Sequence, residues 1–360
     1  MSEAPKPVRI VLLYGGQSAE HEVSRVSAAS VLKAIDNTRY DVVPIAITPD
    51  GRWLRSDATL ALMANPAEHL PESLDASGTD LAPLASVAAA HPDQQVVVLP
   101  ILHGPRGEDG TVQGLLELAN VAYVGTGLLG SALNMDKATS KVVAQAANIP
   151  VCRSISARDS ELDDAFVARV GAELGWPVFV KPSNMGSSVG VSRADDPAGL
   201  RTALDEATRY DEWVVVEEAV DARELEVGVI GNEAPRASVV GEIVPTHDFY
   251  DYDDKYVDGA AEMVIPADVP QAVAEEMREL AVRVYRALRC DGLSRVDFFY
   301  EENGRGLLFN EINTMPGFTK YSMFPALWAE SGLAYPDLID ELVRLALARH
   351  QHRSPHRRLR

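Results

Sequence analysis

The chain has 360 residues, 46% of them hydrophobic and 24% charged, which is the composition of a globular protein with two or three domains. Its 53 acidic and 33 basic residues give a formal charge of −20, which argues against a nucleic-acid-binding protein. Cys152 and Cys290 lack metal-ligand spacing, so neither a disulfide framework nor a zinc site is expected. No signal peptide and no transmembrane-length apolar run is found, so we expect a cytoplasmic protein without membrane contact.

The first part of the chain predicts an open parallel α/β domain over residues 1–130. Continuous β-branched and aliphatic runs predict buried strands, and a helical pattern follows the first of them. The strands are expected at 8–14, 42–47, 96–102 and 121–124, the helix at 18–34, and surface excursions with short helices at 49–93. In such a sheet, ligands bind at the carboxyl ends of the strands.

Gly125-Thr-Gly127-Leu-Leu-Gly130 matches the G-x-G-x-x-G pattern. It is either a dinucleotide fingerprint or a tight turn at a domain junction. The acidic residue expected about 20 positions later is missing, since that region has a helical pattern, so the turn is favoured. No P-loop sequence occurs.

The remainder, up to residue 348, alternates short strands and helices, as in an α+β arrangement. A single helix is expected over 131–147, and others over 162–174, 197–208, 270–288 and 336–348. The tail, 349–360, is basic and lacks apolar periodicity, so we expect it to be disordered.

Lys181, at a strand end, is followed by a loop rich in Gly and Ser that runs to Gly190. Backbone N–H groups and hydroxyls of such a loop can surround phosphate oxygens, and its glycines would let it close as a lid. The alternative is an ordinary Ser/Gly turn.

Residues 295–317 predict a β-hairpin with a polar turn at 301–306. Folding about that turn brings Asp297 opposite the neighbourhood of Asn310 and Glu311, and Asn313 shares a face with Glu311. Three oxygen donors without His or Cys suit Mg²⁺, and the alternative is a solvated sheet face. Elsewhere, Glu20 is a ligand contact or a helix cap, and His103 is a ligand contact or a neutral structural histidine.

Taken together, these segments resemble the D-alanine–D-alanine ligases of the ATP-grasp superfamily. The resemblance rests on seven motifs in the family's order, at 15–24, 102–110, 135–137, 181–190, 249–256, 295–297 and 310–317. It implies a two-subdomain ATP-grasp fold behind the N-terminal domain, with the central subdomain at 131–217 and the C-terminal subdomain at 218–348. It also implies ATP-dependent joining of two D-alanines through an acyl phosphate, with two Mg²⁺ ions that Mn²⁺ can replace, in a homodimer.

The resemblance also implies roles for particular residues. Catalytic roles fall to Glu20, Ser187, Tyr256 and Arg295. Substrate contacts fall to Glu20, His103, Arg295, Gly317, Ser322 and Met323, and metal binding to Asp297, Glu311 and Asn313. ATP contacts fall to Lys137, Lys181, Ser188, Glu217, Glu218, Val220, Glu224, Lys255 and Asn310. Tyr256 favours D-alanine over D-lactate as the second substrate. Other ATP-grasp ligases and a non-catalytic nucleotide sensor are the alternatives.

Overall fold

The computed structural model describes residues 8–63, 70–88, 94–244 and 262–353, which form three β-sheets with flanking helices. Within these ranges no helix has the length and apolar character needed to cross a membrane. The predicted contact residues Lys255 and Tyr256 lie outside the described residues.

The N-terminal sheet has six strands in the order β4-β3-β2-β1-β5-β6. As predicted, β1 runs parallel to β2 and β5. The antiparallel pair β3 and β4 falls in the segment where only excursions and helices were expected, because two three-residue strands leave too short a pattern to detect. The elements are β1 (Val8–Gly15), α1 (His21–Ala34), β2 (Tyr40–Ile47), β3 (Trp53–Arg55), α2 (Asp57–Leu62), β4 (Thr79–Leu81), α3 (Pro83–Ala88), β5 (Gln95–Ile101), α4 (Thr111–Leu118) and β6 (Ala122–Tyr123).

The chain leaves this domain through the glycine-rich turn. Gly125 has a φ of +96°, and a Cβ on Gly130 would lie 2.4 Å from the Arg289 carbonyl oxygen. The glycines therefore serve a turn and a close backbone approach, which agrees with the junction interpretation.

Two helices follow the turn, α5 (Leu128–Met135) and α6 (Lys137–Ala146), where one was predicted. Asp136 separates them, because its backbone is extended and its carboxylate accepts the Thr139 N–H at 2.7 Å as an N-cap. Ala144 packs in the core of the third sheet, while Lys141 of the same helix pairs with Glu217 of the central sheet, so α6 contacts both subdomains.

The central subdomain has a four-stranded antiparallel sheet in the order β7-β10-β8-β9. Two helices cover one face and bury an aliphatic core. Its elements are β7 (Ser154–Arg158), a 3₁₀ turn (Asp159–Glu161), α7 (Asp164–Glu173), β8 (Val178–Pro182), β9 (Ser192–Ala194), α8 (Pro197–Ala207) and β10 (Trp213–Glu218).

The C-terminal subdomain has a five-stranded antiparallel sheet in the order β13-β12-β11-β14-β15. The predicted hairpin is β14 and β15, with Asp297 paired to Glu311 and Arg295 to Asn313. Its elements are β11 (Arg223–Gly231), β12 (Arg236–Val244), β13 (Glu262–Val264), α9 (Gln271–Ala287), β14 (Gly292–Glu301), β15 (Gly306–Asn313), α10 (Met323–Glu330) and α11 (Tyr335–Arg353).

The final helix extends further than predicted. Its apolar face, which includes Leu338 and Leu342, packs in a core that the N-terminal sheet shares with the C-terminal subdomain. The helix continues to Arg353, so the prediction of disorder is wrong for the start of the tail. Arg349 is 6% exposed and donates to the Tyr123 carbonyl at 2.8 Å and to the Gly125 carbonyl. These carbonyls at the domain junction give the basic residue a buried role.

Candidate active site

A cavity of about 100 Å³ lies between the central sheet and the C-terminal sheet. Its wall combines cationic, carboxylate and amide side chains, a composition suited to a polyphosphate with a cation. The predicted site residues that line it are Lys137, Lys181, Ser187, Ser188, Glu224, Arg295, Asp297, Asn310 and Glu311. A smaller adjoining cavity shares Lys137 and Glu311 and is also lined by Asn313 and Glu108.

The Gly/Ser loop after β8 closes one side of the cavity. Ser187 and Ser188 line the cavity and have φ values of 51° and 58°, which places both in the left-handed region. The Ser187 hydroxyl donates to Glu20 Oε1 at 2.5 Å. A Cβ on Gly186 would lie 3.1 Å from Glu20 Oε2, so glycine allows the loop to approach this carboxylate.

Lys137 is placed by the start of α6. Its N–H donates to the Ser183 carbonyl at 3.0 Å, and its Nζ donates to the Met185 carbonyl at 2.5 Å. The same ammonium lies 3.5 Å from Glu311 Oε2. The start of α6 thus places the Lys137 ammonium between the Gly/Ser loop and the hairpin.

Two lysines share one buried carboxylate beside the cavity. Glu217 lies 2.8 Å from Lys181 Nζ and 2.9 Å from Lys141 Nζ, and Lys141 also donates to the Asn310 carbonyl at 3.1 Å. Burial opposes ionisation of Glu217, but the two lysines outweigh it and lower its pKa to about 2. Burial alone would lower the pKa of Lys181, but the charge and hydrogen bond of Glu217 outweigh burial, so the pKa is raised. Two ammoniums against one carboxylate leave a net positive charge for an anionic ligand.

The hairpin presents Asp297 and Glu311 opposite each other. Arg295 donates to both Asp297 oxygens at 2.8 and 2.7 Å, and Asn313 Nδ2 donates to Asp297 Oδ2 at 2.9 Å. Arg295 also lies 3.0 Å from Glu226. Within the described ranges no three His, Cys, Asp or Glu side chains form a metal-binding group. The donor set of two carboxylates and an amide nevertheless suits a hard cation, provided that Arg295 releases Asp297.

Glu20 belongs to the site and not to the helix start. It occupies the N-cap position of α1, but its side chain makes no capping hydrogen bond, and it accepts from Ser187 instead. His103 is 4% exposed, and its Nδ1 donates to the Met315 carbonyl at 2.9 Å. Burial lowers the pKa of His103 although the charge of Glu20 opposes this, so the imidazole is neutral.

Comparisons with known proteins agree with this geometry. Residues 9–126 match the family described as "D-ala D-ala ligase N-terminus", and residues 143–344 match "D-ala D-ala ligase C-terminus". The D-alanine–D-alanine ligase of Geobacillus kaustophilus is 44% identical over 357 residues, which is 96% of each chain. The chain belongs to the D-alanine–D-alanine ligase family.

Two solved structures of similar proteins have a TM-score of 0.81 and 33% sequence identity. One is the D-alanine–D-alanine ligase of Coxiella burnetii, with 98% of this chain and 97% of that one covered. The other is the VanG D-Ala:D-Ser ligase of Enterococcus faecalis, with 95% and 100% covered. The ATP-grasp fold expected of this ligase family is therefore confirmed.

Several residues predicted from the resemblance lie apart from the cavity wall. The Glu218 carboxylate is turned to Arg153 and Arg305, at 2.7 and 2.5 Å. Val220 is half-buried beyond the end of β10. The Met323 side chain packs in an apolar cluster, so only its backbone, at the first turn of α10, can face a ligand. Ser322 lies beside Gly317, since a Cβ added to Gly317 would be 3.2 Å from the Ser322 Oγ.

Sequence reasoning missed the buried Lys141 and the half-buried Glu108, which lie beside the two cavities. Lys141 lies one helical turn after Lys137, and this i,i+4 spacing was the available signal. Glu108 lies in a motif from which only His103 was selected, and its oxygens accept the Gly104 and Met315 N–H groups at 2.7 and 2.9 Å. Burial, together with the charge of Glu20, raises the pKa of Glu108 to about 8.

Proposed function

We propose that the protein joins two D-alanines to D-alanyl-D-alanine, with ATP converted to ADP and phosphate, to supply peptidoglycan precursors. The observation that carries this proposal is the hydrogen bond from Ser187 to Glu20. It joins the loop suited to phosphate to a carboxylate suited to an amino acid's ammonium group. Family membership supplies the identity of the amino acid.

ATP would lie in the cavity between the two sheets. Lys137 and Lys181 would hold phosphate oxygens, with Ser188 and Asn310 beside them. Because Glu217 is paired with two lysines, the adenine contacts of residues 217–220 would be mainly through the backbone. Glu224, which lines the cavity, would accept from the ribose hydroxyls.

Asp297, Glu311 and Asn313 would hold two Mg²⁺ ions, with Mn²⁺ as a substitute. When bound, the metal neutralises phosphate charge that would otherwise repel the attacking carboxylate. Release of Asp297 by Arg295 would free the guanidinium for the reacting acyl group. The same short hairpin would then serve both halves of the reaction.

The reaction needs two displacements. A carboxylate oxygen of the first D-alanine, whose ammonium faces Glu20 with His103 nearby, attacks the γ-phosphorus; the bond to ADP breaks and an acyl phosphate forms. The amine of the second D-alanine, after losing a proton, attacks the acyl carbon, and phosphate leaves. Arg295 and the Gly317 N–H would stabilise the oxyanion of the intermediate. Ser322 and the Met323 backbone would bind the second carboxylate.

Water would hydrolyse the acyl phosphate, so the site needs covers. The loop at Ser187 would be one cover. The segment with Lys255 and Tyr256 would be the second, as the resemblance implies. Replacing Tyr256 by Phe is expected to raise phosphate release without dipeptide, while unchanged coupling would contradict the lid role.

A second candidate product is D-alanyl-D-serine, because the similar VanG structure is a D-Ala:D-Ser ligase. Phosphate release and product mass, measured with ATP, Mg²⁺ and D-alanine alone or with D-serine, D-lactate or L-alanine, separate the candidates. We expect D-alanyl-D-alanine as the main product. Phosphate release only with L-amino acids, or none at all, would refute the proposal.

The proposal places the protein in the cytoplasm, where ATP is available, and as a homodimer with neither membrane nor nucleic acid as partner. Light scattering on the purified protein tests the assembly. A mass near the 39.0 kDa of one chain would contradict the dimer.

A further inference from the structure

The backbone that leaves the hairpin is held by side chains of the N-terminal domain. The Met315 N–H donates to Glu108 Oε1 and the Met315 carbonyl accepts from His103 Nδ1, both at 2.9 Å. Further along, the Phe318 N–H donates to Ser27 Oγ at 3.4 Å and the Lys320 N–H to Ser30 Oγ at 3.1 Å. Residues 315–320 therefore follow a template that the other domain provides.

At Met315, side chains of the N-terminal domain hold both backbone polar groups. Pro316, which follows, has a fixed φ, so the direction of the chain at Met315 passes to Gly317. Because Glu108 and His103 hold residue 315 and the φ of Pro316 is fixed, the ψ of Pro316 is the main remaining freedom in where the Gly317 N–H points.

The two hydrogen bonds of Glu108 require a carboxyl group of this length. Oε2 accepts the Gly104 N–H of its own loop at 2.7 Å, while Oε1 accepts the Met315 N–H. A glutamine has one acceptor oxygen, so its NH₂ group would face one of these two donors. An aspartate is one methylene too short to span both partners.

We propose that Glu108 is a positioning residue for the acyl-transfer half of the reaction: with His103 it fixes Met315 and thereby aims the Gly317 N–H. This inference rests on the proposed function, in which Gly317 stabilises the oxyanion. Glu108 lines the smaller cavity and not the larger one, where ATP would bind. Its loss therefore reduces dipeptide formation more than phosphoryl transfer from ATP.

The test compares Glu108→Gln with Asp109→Asn. Asp109 also accepts two backbone N–H groups, from Arg106 at 2.8 Å and Thr111 at 2.9 Å, but both belong to its own loop. It is a matched control for the loss of a carboxylate in this motif. Phosphate and dipeptide are measured in the same reaction, together with the KM for ATP and the thermal unfolding midpoint.

For Glu108→Gln we expect dipeptide formation to fall about 10- to 100-fold, because a buried N–H loses its acceptor. Phosphate release falls less, so the ratio of phosphate to dipeptide rises above that of the wild type, and the KM for ATP is unchanged. Asp109→Asn keeps the wild-type ratio. Glu108→Ala, which removes both acceptors, shows a higher ratio still.

Three results would overturn the inference: an unchanged phosphate-to-dipeptide ratio in Glu108→Gln, an equal rise in Asp109→Asn, or failure of Glu108→Gln to fold. The last would make Glu108 a structural residue. If the wild type itself forms no dipeptide from D-alanine, the proposed function fails instead. The two failures are therefore distinguishable.

Discussion

Replacing Lys141 by Met tests the shared carboxylate. The substitution keeps an apolar stem of similar length and removes an ammonium that is buried beside Glu217 and Asn310. Ionisation of Glu217 at a pKa of about 2, compared with the ordinary 4.5, corresponds to about 3 kcal/mol of stability at neutral pH. In the variant, Lys181 still supplies roughly half of this stabilisation, and the lost hydrogen bond to the Asn310 carbonyl adds about 1 kcal/mol to the destabilisation. We therefore expect Lys141→Met to lower the free energy of unfolding by about 2–3 kcal/mol.

The assay is urea unfolding at several pH values, with Lys33→Met as control. Lys33 pairs with Glu72, whose side chain is 93% exposed, so its loss has little effect. The folded-state pKa of Glu217 is depressed, so its contribution is complete above about pH 4.5 and is lost as the pH falls toward 2. Lys141→Met weakens this acid dependence. Equal stability of Lys141→Met and Lys33→Met at pH 7 would refute the reasoning.

Three further predictions concern other contacts. Glu311→Gln abolishes turnover with an unchanged unfolding midpoint, since Glu311 is half-buried at the cavity; a collapse in stability would make it structural. Ser187→Ala raises the KM of the first D-alanine about tenfold through the lost bond to Glu20, measured by varying D-alanine at saturating ATP; an unchanged KM contradicts this. Arg349→Met lowers the free energy of unfolding, measured in urea, by about 3–5 kcal/mol. Arg344→Met, which removes an exposed ion pair on the same helix, has a small effect and serves as the control. Equal losses in the two variants would contradict the buried role of Arg349.

The sequence sufficed for the hairpin because the signal was local. A polar turn between two apolar runs sets the register up to the Phe298–Phe309 pair, and alternation alone would place Asp297 opposite Asn310. A one-residue register shift in the ladder places it opposite Glu311 instead, so the sequence located the neighbourhood but not the exact pair. The Gly/Ser loop after β8 was predicted for the same reason, since Lys181 and the glycines are close together in the chain. The partners of these residues could not be predicted, because Lys141 and Glu217 are brought together only when α6 packs against the central sheet.

Helix destinations were the other limit. The apolar stripe of α11 indicates a buried face but not which sheet it covers. Arg349 gave a misleading signal, because a basic residue near the end of a chain is usually solvated. Its role depends on carbonyl groups at Tyr123 and Gly125, more than 200 residues earlier.

The position of α11 constrains how the protein is made. Ile10 and Leu12 of the first strand share one core with Leu338 and Leu342 of the last helix. On the ribosome, the first domain is exposed long before the helix that completes it has been synthesised. Part of its apolar surface therefore stays uncovered until residues 335–353 have been made, and the first strand reaches its final packing only after that helix has formed.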